Sequence, residues 1–184
     1  MERMNPSARA DRYGKRINRV QSPWRASSVP YITILLGSLI PFLPLSVVMP
    51  IVPPLGFIML LGWRMMRPGL LPLWVGVPLG AFDDLFSGQP FGSGILLWSL
   101  TMIALEAVET RFPWRGFWQD WFTAGLVITL YLFAAMFASG APATVPQAVA
   151  LIPQLVLSIM LYPLLSRLVA GLDRFRLSRS RRIG

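Results

Sequence analysis

The sequence predicts an all-α fold, a polytopic membrane bundle of six transmembrane helices, and two observations carry that expectation. The first is composition. Of the 184 residues, 54% are hydrophobic and only 14% charged, with a mean hydropathy of +0.57; soluble domains rarely exceed about half apolar. Seventeen prolines and fifteen glycines sit in that material, as suits membrane helices. The second observation is where the charge lies. Between Tyr31 and Ser166 the only basic residues are Arg64, Arg67, Arg111 and Arg115, and the other Lys and Arg are confined to the two chain ends.

Six apolar segments follow in order. The first is "YITILLGSLIPFLPLSVVMP", Tyr31 to Pro50, which is free of charge. The second, from Ile51 to Trp63, falls short of the roughly 20 residues of a full span and follows the turn signal of Pro53-Pro54. The third runs from Gly69 to Phe86 and ends in two acids. The fourth covers Phe91 to Val108, the fifth Trp118 to Ala138 and the sixth Pro146 to Val169. Loops with Arg64 and Arg67, and with Arg111 and Arg115, alternate with loops near Pro50, "SGQP" and "SGAPATVP" that hold no Lys or Arg. The positive-inside rule then puts both chain ends and the Arg-bearing loops in the cytoplasm. The domain organisation expected is a basic cytoplasmic tail at 1–28, a transmembrane domain at 29–170 and a second basic tail at 171–184. The first tail is too long and polar for a cleaved signal peptide. Tryptophans at the inner boundaries, Trp24, Trp63 and those of "FPWRGFWQDWF", read as interface anchors.

Function classes narrow by absence. The chain has no cysteine and no histidine, so disulfides, thiol chemistry and the common zinc, copper or haem ligand sets are excluded, and no cofactor or metal is expected. A net charge of +9 does not indicate nucleic acid, because it lies in the tails. Those tails read as topology signals attracted to anionic membrane lipid, at about 1 kcal/mol per basic residue, or as a docking site for a cytoplasmic protein. No phosphate loop or nucleophile–base pair appears. Glu106 and Glu109 lie one turn apart but read as a polar helix end, so the chain is not expected to be an enzyme.

The stretch "GAFDDLFSGQPFG" is where chemistry concentrates. Gly76, Gly80 and Asp84 share one helix face at i, i+4 and i+8, with Asp83 beside them. The Gly76-x-x-x-Gly80 spacing lets a neighbouring helix backbone come close. Asp84 is placed to be capped by backbone N–H groups of the "SGQPFG" turn or of the next helix start. Three roles stay open for the acids: closing this hairpin, contacting a partner at the outer face, or handling a proton or cation.

Residues 54–112 also resemble the MreD family of bacterial rod-shape-determining membrane proteins. The resemblance rests on Trp63, Arg67-Pro68, Gly80, Asp84-Leu85, Ser87-Gly88 and Pro90-Phe91-Gly92. The family's acid maps onto Asp84, and Asp83 is an extra without an assigned role. The likeness implies a non-enzymatic scaffold of the bacterial inner membrane that takes part in regulating cell shape. Its implied partners are a periplasmic MreC-like protein, the MreB-like filament, a RodA-type glycosyltransferase and a class B penicillin-binding protein. It also implies a fold similar to the six-helix substrate-binding subunits of vitamin transporters. That leaves an alternative, a small-molecule-binding subunit of a membrane transporter. Gly76, Gly80, Asp83, Asp84, Ser87, Gly88, Pro90 and Gly92 are then the candidate hairpin or partner surface, and Arg64, Arg67, Arg111 and Arg115 the cytoplasmic one.

Overall fold

The computed structural model describes residues 23–40, 52–111, 116–140 and 144–177. Arg115 and the outer parts of both basic tails lie outside the described residues. Among the described residues there are six α-helices, one 3-10 turn and no strand. They are α1 (Pro23–Leu39), α2 (Leu55–Met66), α3 (Gly76–Phe86), α4 (Ser93–Arg111), α5 (Phe117–Ala138) and α6 (Val145–Leu177). The fold class is therefore all-α, as the composition predicts.

The lengths divide into two groups. α4, α5 and α6 are long and apolar enough to cross a membrane. α1, α2 and α3 have 17, 12 and 11 residues. A 12-residue helix covers about 18 Å, against about 30 Å of hydrocarbon.

Prolines account for the differences from the expected segments. α1 begins at Pro23 rather than Tyr31, because proline is pre-organised for a helix's first position. It thus enters the stretch read as tail. α2 begins only after Pro54, its N-cap, and stops before Arg67-Pro68, since the residue preceding a proline avoids the α conformation. The third segment, expected to run unbroken from Gly69, is interrupted. Gly69 has a positive φ, Pro72 is extended, and a 3-10 turn at Leu73–Val75 leads into α3. Pro78 is accepted because it sits in the first turn of α3, where the backbone N–H has no helical acceptor to lose. α6 carries on past Val169 to Leu177 and includes Pro153 and Pro163.

α2 is the central stave. Every residue from Gly56 to Met65 is buried, which is the mark of a helix surrounded on all sides. Phe57 stacks on Tyr131 of α5 with ring centroids 3.9 Å apart and meets Trp98 of α4 edge-on at 5.9 Å. Trp63 is wholly buried and its indole N–H donates to Thr33 Oγ1 at 2.9 Å. It is a core residue rather than the interface anchor the sequence suggested, because α2 sits inside the bundle. Outward faces are apolar instead, with Leu96, Leu100 and Ile103 on α4 and Phe122, Leu126 and Leu130 on α5 exposed. A lipid surround suits such faces.

Contacts set the helix directions. The end of α1 meets the start of α2 through Gly37 and Gly56, and the ends of α2 and α4 meet through Arg64 and the glutamates. The ends of α2 and α6 meet through Arg67 and Asp173. Two poles result: a basic pole with Arg64 and Arg67, and a hairpin pole with the α3–α4 turn.

Candidate functional site

Asp84, in the last turn of α3, is buried and is the keystone of the hairpin pole. Its Oδ1 accepts from Gly94 N at 2.6 Å and from Ser93 Oγ at 3.3 Å, and its Oδ2 from Gly92 N at 2.8 Å and Ile95 N at 3.3 Å. These donors are the unsatisfied N–H groups at the start of α4 and the turn residue before it. The carboxylate thus caps one helix from the end of another, at the pole where the helix dipole favours negative charge. Charge-assisted bonds of this type are worth about 1.5–3 kcal/mol each where buried.

The motif glycines make the clamp possible. A Cβ on Gly80 would lie 2.5 Å from Gly94 O and 2.9 Å from Ile95 Cα, and one on Gly76 3.0 Å from Ser99 Cα. α3 and α4 therefore touch backbone to backbone along that face. Gly88 and Gly92 have φ of 71° and 104°, a region costly for other residues. Between them Pro90 O accepts from Ser93 N at 3.1 Å and from Ser93 Oγ at 2.8 Å. The structure thus brings Gly76, Gly80, Asp84, Gly88, Pro90 and Gly92 into one hairpin.

Asp83 and Ser87 face elsewhere. They line a cavity of about 100 Å³ between the ends of α1, α2, α3 and α5, together with Ser38, Gln89, Tyr131 and Gln154. Gln154 Nε2 donates to Val52 O at 2.8 Å across that region. A second cavity of about 300 Å³ lies between α5 and α6 and is lined in part by Gln89, Ser139, Gln147 and Gln154.

The basic pole holds ion pairs that sequence patterns did not assemble. Arg64 lies in the last turn of α2, not in a loop, and its side chain is 1% exposed. It pairs with Glu106 and, at 2.9 Å, with Glu109. It is therefore an internal tie rather than a free cytoplasmic contact. Arg67 Nη2 donates to Asp173 Oδ2 at 2.8 Å, and Arg176 Nε to Asp173 Oδ1 at 2.7 Å. Arg176 also lies 5.5 Å above the Trp63 ring. Arg111, at the end of α4, is exposed. One signal for these ties was present: two glutamates one turn apart on a helix face, with a lone arginine at the close of an apolar run. Nothing in the local sequence points to Tyr131.

Among the described residues no group of three or more acids converges as a metal site. No protein-family model, curated protein or solved structure matches the chain.

Proposed function

We propose that this chain is a six-span inner-membrane scaffold subunit of the bacterial cell-wall elongation complex, similar to MreD proteins, with both chain ends in the cytoplasm. The observation that supports it is the Asp84 clamp. Four positions of the motif that resembles that family contribute to one geometry. Gly80 admits the α4 backbone, Asp84 caps α4, and Gly88 and Gly92 turn the chain. The result is a rigid hairpin at the outer pole, a suitable platform for a periplasmic MreC-like partner and, beside it, for the spans of RodA-type and class B penicillin-binding synthases. The basic tails face the MreB-like filament and the anionic lipid. On this reading α2 and α3 cross as part of the bundle, with the non-helical stretch at Gly69–Pro72 shielded by protein, the condition under which such backbone is tolerated at membrane depth. No chemical step is assigned to the chain; its work is assembly.

The test is complementation. In rod-shaped cells depleted of their own MreD-type protein, the wild-type chain restores rod shape and Asp84→Asn, at equal protein level, restores it poorly. Normal shape and normal complex assembly with Asp84→Asn would remove the motif from the function.

The alternative, a small-molecule-binding subunit of a membrane transporter, draws on the cavity of about 300 Å³ with its amide lining. It predicts a small molecule retained by the purified protein and detected by mass spectrometry of the released ligand.

A further inference from the structure

Asp83 stands apart from the other acids around it. Asp84 is satisfied by backbone N–H groups, Glu106 and Glu109 by Arg64, and Asp173 by Arg67 and Arg176. Asp83 is buried, with 8% of its surface exposed, and forms no ion pair among the described residues. Among the described residues no Lys or Arg pairs with it at this pole. Residues 26–63, 68–110 and 116–166 contain no Lys or Arg, and these ranges include the α1–α2, α3–α4 and α5–α6 connections. Acids within membrane proteins pair or face water-filled cavities, and Asp83 lines a cavity that a counter-charge can enter.

Its surroundings are built for such a charge. The wall of the cavity of about 100 Å³ holds Ser38, Ser87, Gln89, Tyr131 and Gln154 beside Asp83. Ser38 is 2% exposed, and its Oγ lies beside the Asp83 carboxylate without a hydrogen-bond partner at bonding geometry. Ser87 Oγ is likewise buried and unpartnered. Gln154 spends its amide N–H on Val52 O, which leaves its amide oxygen as a remaining acceptor. The titratable groups facing Asp83 are Asp84, from its own helix, and Tyr131, from α5; both are acidic, and neither neutralises it.

We propose that Asp83, with the hydroxyl oxygens of Ser38 and Tyr131 and the amide oxygen of Gln154, forms a binding site for one alkali cation of the sodium class. The ligand set decides the class. All donors are hard oxygens, which excludes the metals that select nitrogen and sulfur. There is one uncapped carboxylate, which matches a single positive charge, whereas calcium sites gather several carboxylates. The volume accommodates a partly dehydrated ion with about two waters at roughly 30 Å³ each. A bound ion would tie α1, α3, α5 and α6 together at the pole where the hairpin is displayed. The site does not depend on the scaffold reading, which stands or falls separately.

The experiment is equilibrium binding of radioactive sodium-22 to the purified full-length protein in detergent, with choline chloride holding ionic strength constant. Wild-type protein binds one sodium per chain, displaced by unlabelled NaCl and not by choline, and its thermal midpoint rises saturably with NaCl. Asp83→Asn loses both effects. Should that variant fail to fold, Ser38→Ala and Gln154→Leu provide the reading, with half-saturating sodium raised by about ten-fold or more and a smaller thermal shift at fixed NaCl. Glu106→Gln, at the opposite pole, keeps the sodium response. No saturable sodium binding by wild-type protein, equal binding by Asp83→Asn, or stabilisation by methylammonium and guanidinium but not by sodium would overturn the proposal; the last result would assign the pocket to a partner's basic side chain.

Discussion

Asp84 makes four hydrogen bonds to the start of α4, and its replacement has a calculable direction. In Asp84→Asn one oxygen still accepts, but the new amide presents hydrogens to N–H groups that are themselves donors. Loss of the charge-assisted bonds is expected to cost about 2–3 kcal/mol, seen as a lower thermal midpoint of the purified protein in detergent; an unchanged midpoint would mean that the cap is dispensable. Gly88→Ala forces an alanine to a φ of 71° and should cost about 1–2 kcal/mol in the same assay, while leaving the Asp84 cap in place. The sequence revealed Asp84 because acid, glycines and turn lie within a short window, and helix starts attract negative charge. It marks Ser38 and Gln154 only as two of the few polar residues within the spans that could line a cavity, and it did not reveal Tyr131, which reaches the same pole from α5. Their proximity to Asp83 depends on how the helices assemble, which no local pattern encodes.

The α3–α4 pair packs along glycine, so Gly80→Ala is the sharpest probe of that contact. The added methyl meets Gly94 and Ile95 backbone, which cannot swing aside as a side chain would. A loss of about 1–3 kcal/mol is expected; a neutral result would show that the helices separate without penalty. At the other pole, α2 and α4 are tied by Arg64 with Glu106 and Glu109. Arg64→Met removes the cation that Glu106, half-exposed, and Glu109, partly buried, share, at a cost of about 1–3 kcal/mol. Adding Glu106→Gln and Glu109→Gln should recover most of the stability; a triple variant no better than Arg64→Met would show that the cost comes from lost packing instead. Hydropathy located α4 and α5 within a few residues because their apolar runs are uninterrupted. It misjudged the third segment because an apolar run says nothing about backbone conformation, and Pro72 imposes an extended residue inside it. It also ended α6 too early: hydropathy falls after Val169, but Asp173 and Arg176 are buried against α2 by pairing, so the helix continues.

Taken as one body, the protein places short, buried α2 at its centre and long, lipid-suited α4, α5 and α6 around it, with ion pairs at one pole and the hairpin at the other. The absence of cysteine makes the chain a ready background for testing how these poles face the membrane. Ser139→Cys at the hairpin pole should react with an impermeant maleimide added outside intact spheroplasts, and Arg174→Cys at the basic pole only after lysis. The reverse pattern would invert the topology. That Arg64, Arg67, Arg111, Arg174 and Arg176 gather at one pole was legible in the sequence because basic residues cluster around alternate segment ends, whereas of the three short helices only α2 was. A scaffold role within the elongation machinery is best probed by affinity purification from gently solubilised native membranes, with covalent crosslinking and mass spectrometry. Recovery of an MreC-type protein and wall synthases is expected, with crosslinks from the MreC-type protein to the loops of the hairpin pole. Recovery of a transport ATPase module, or of a bound small molecule with none of those proteins, would refute the scaffold role.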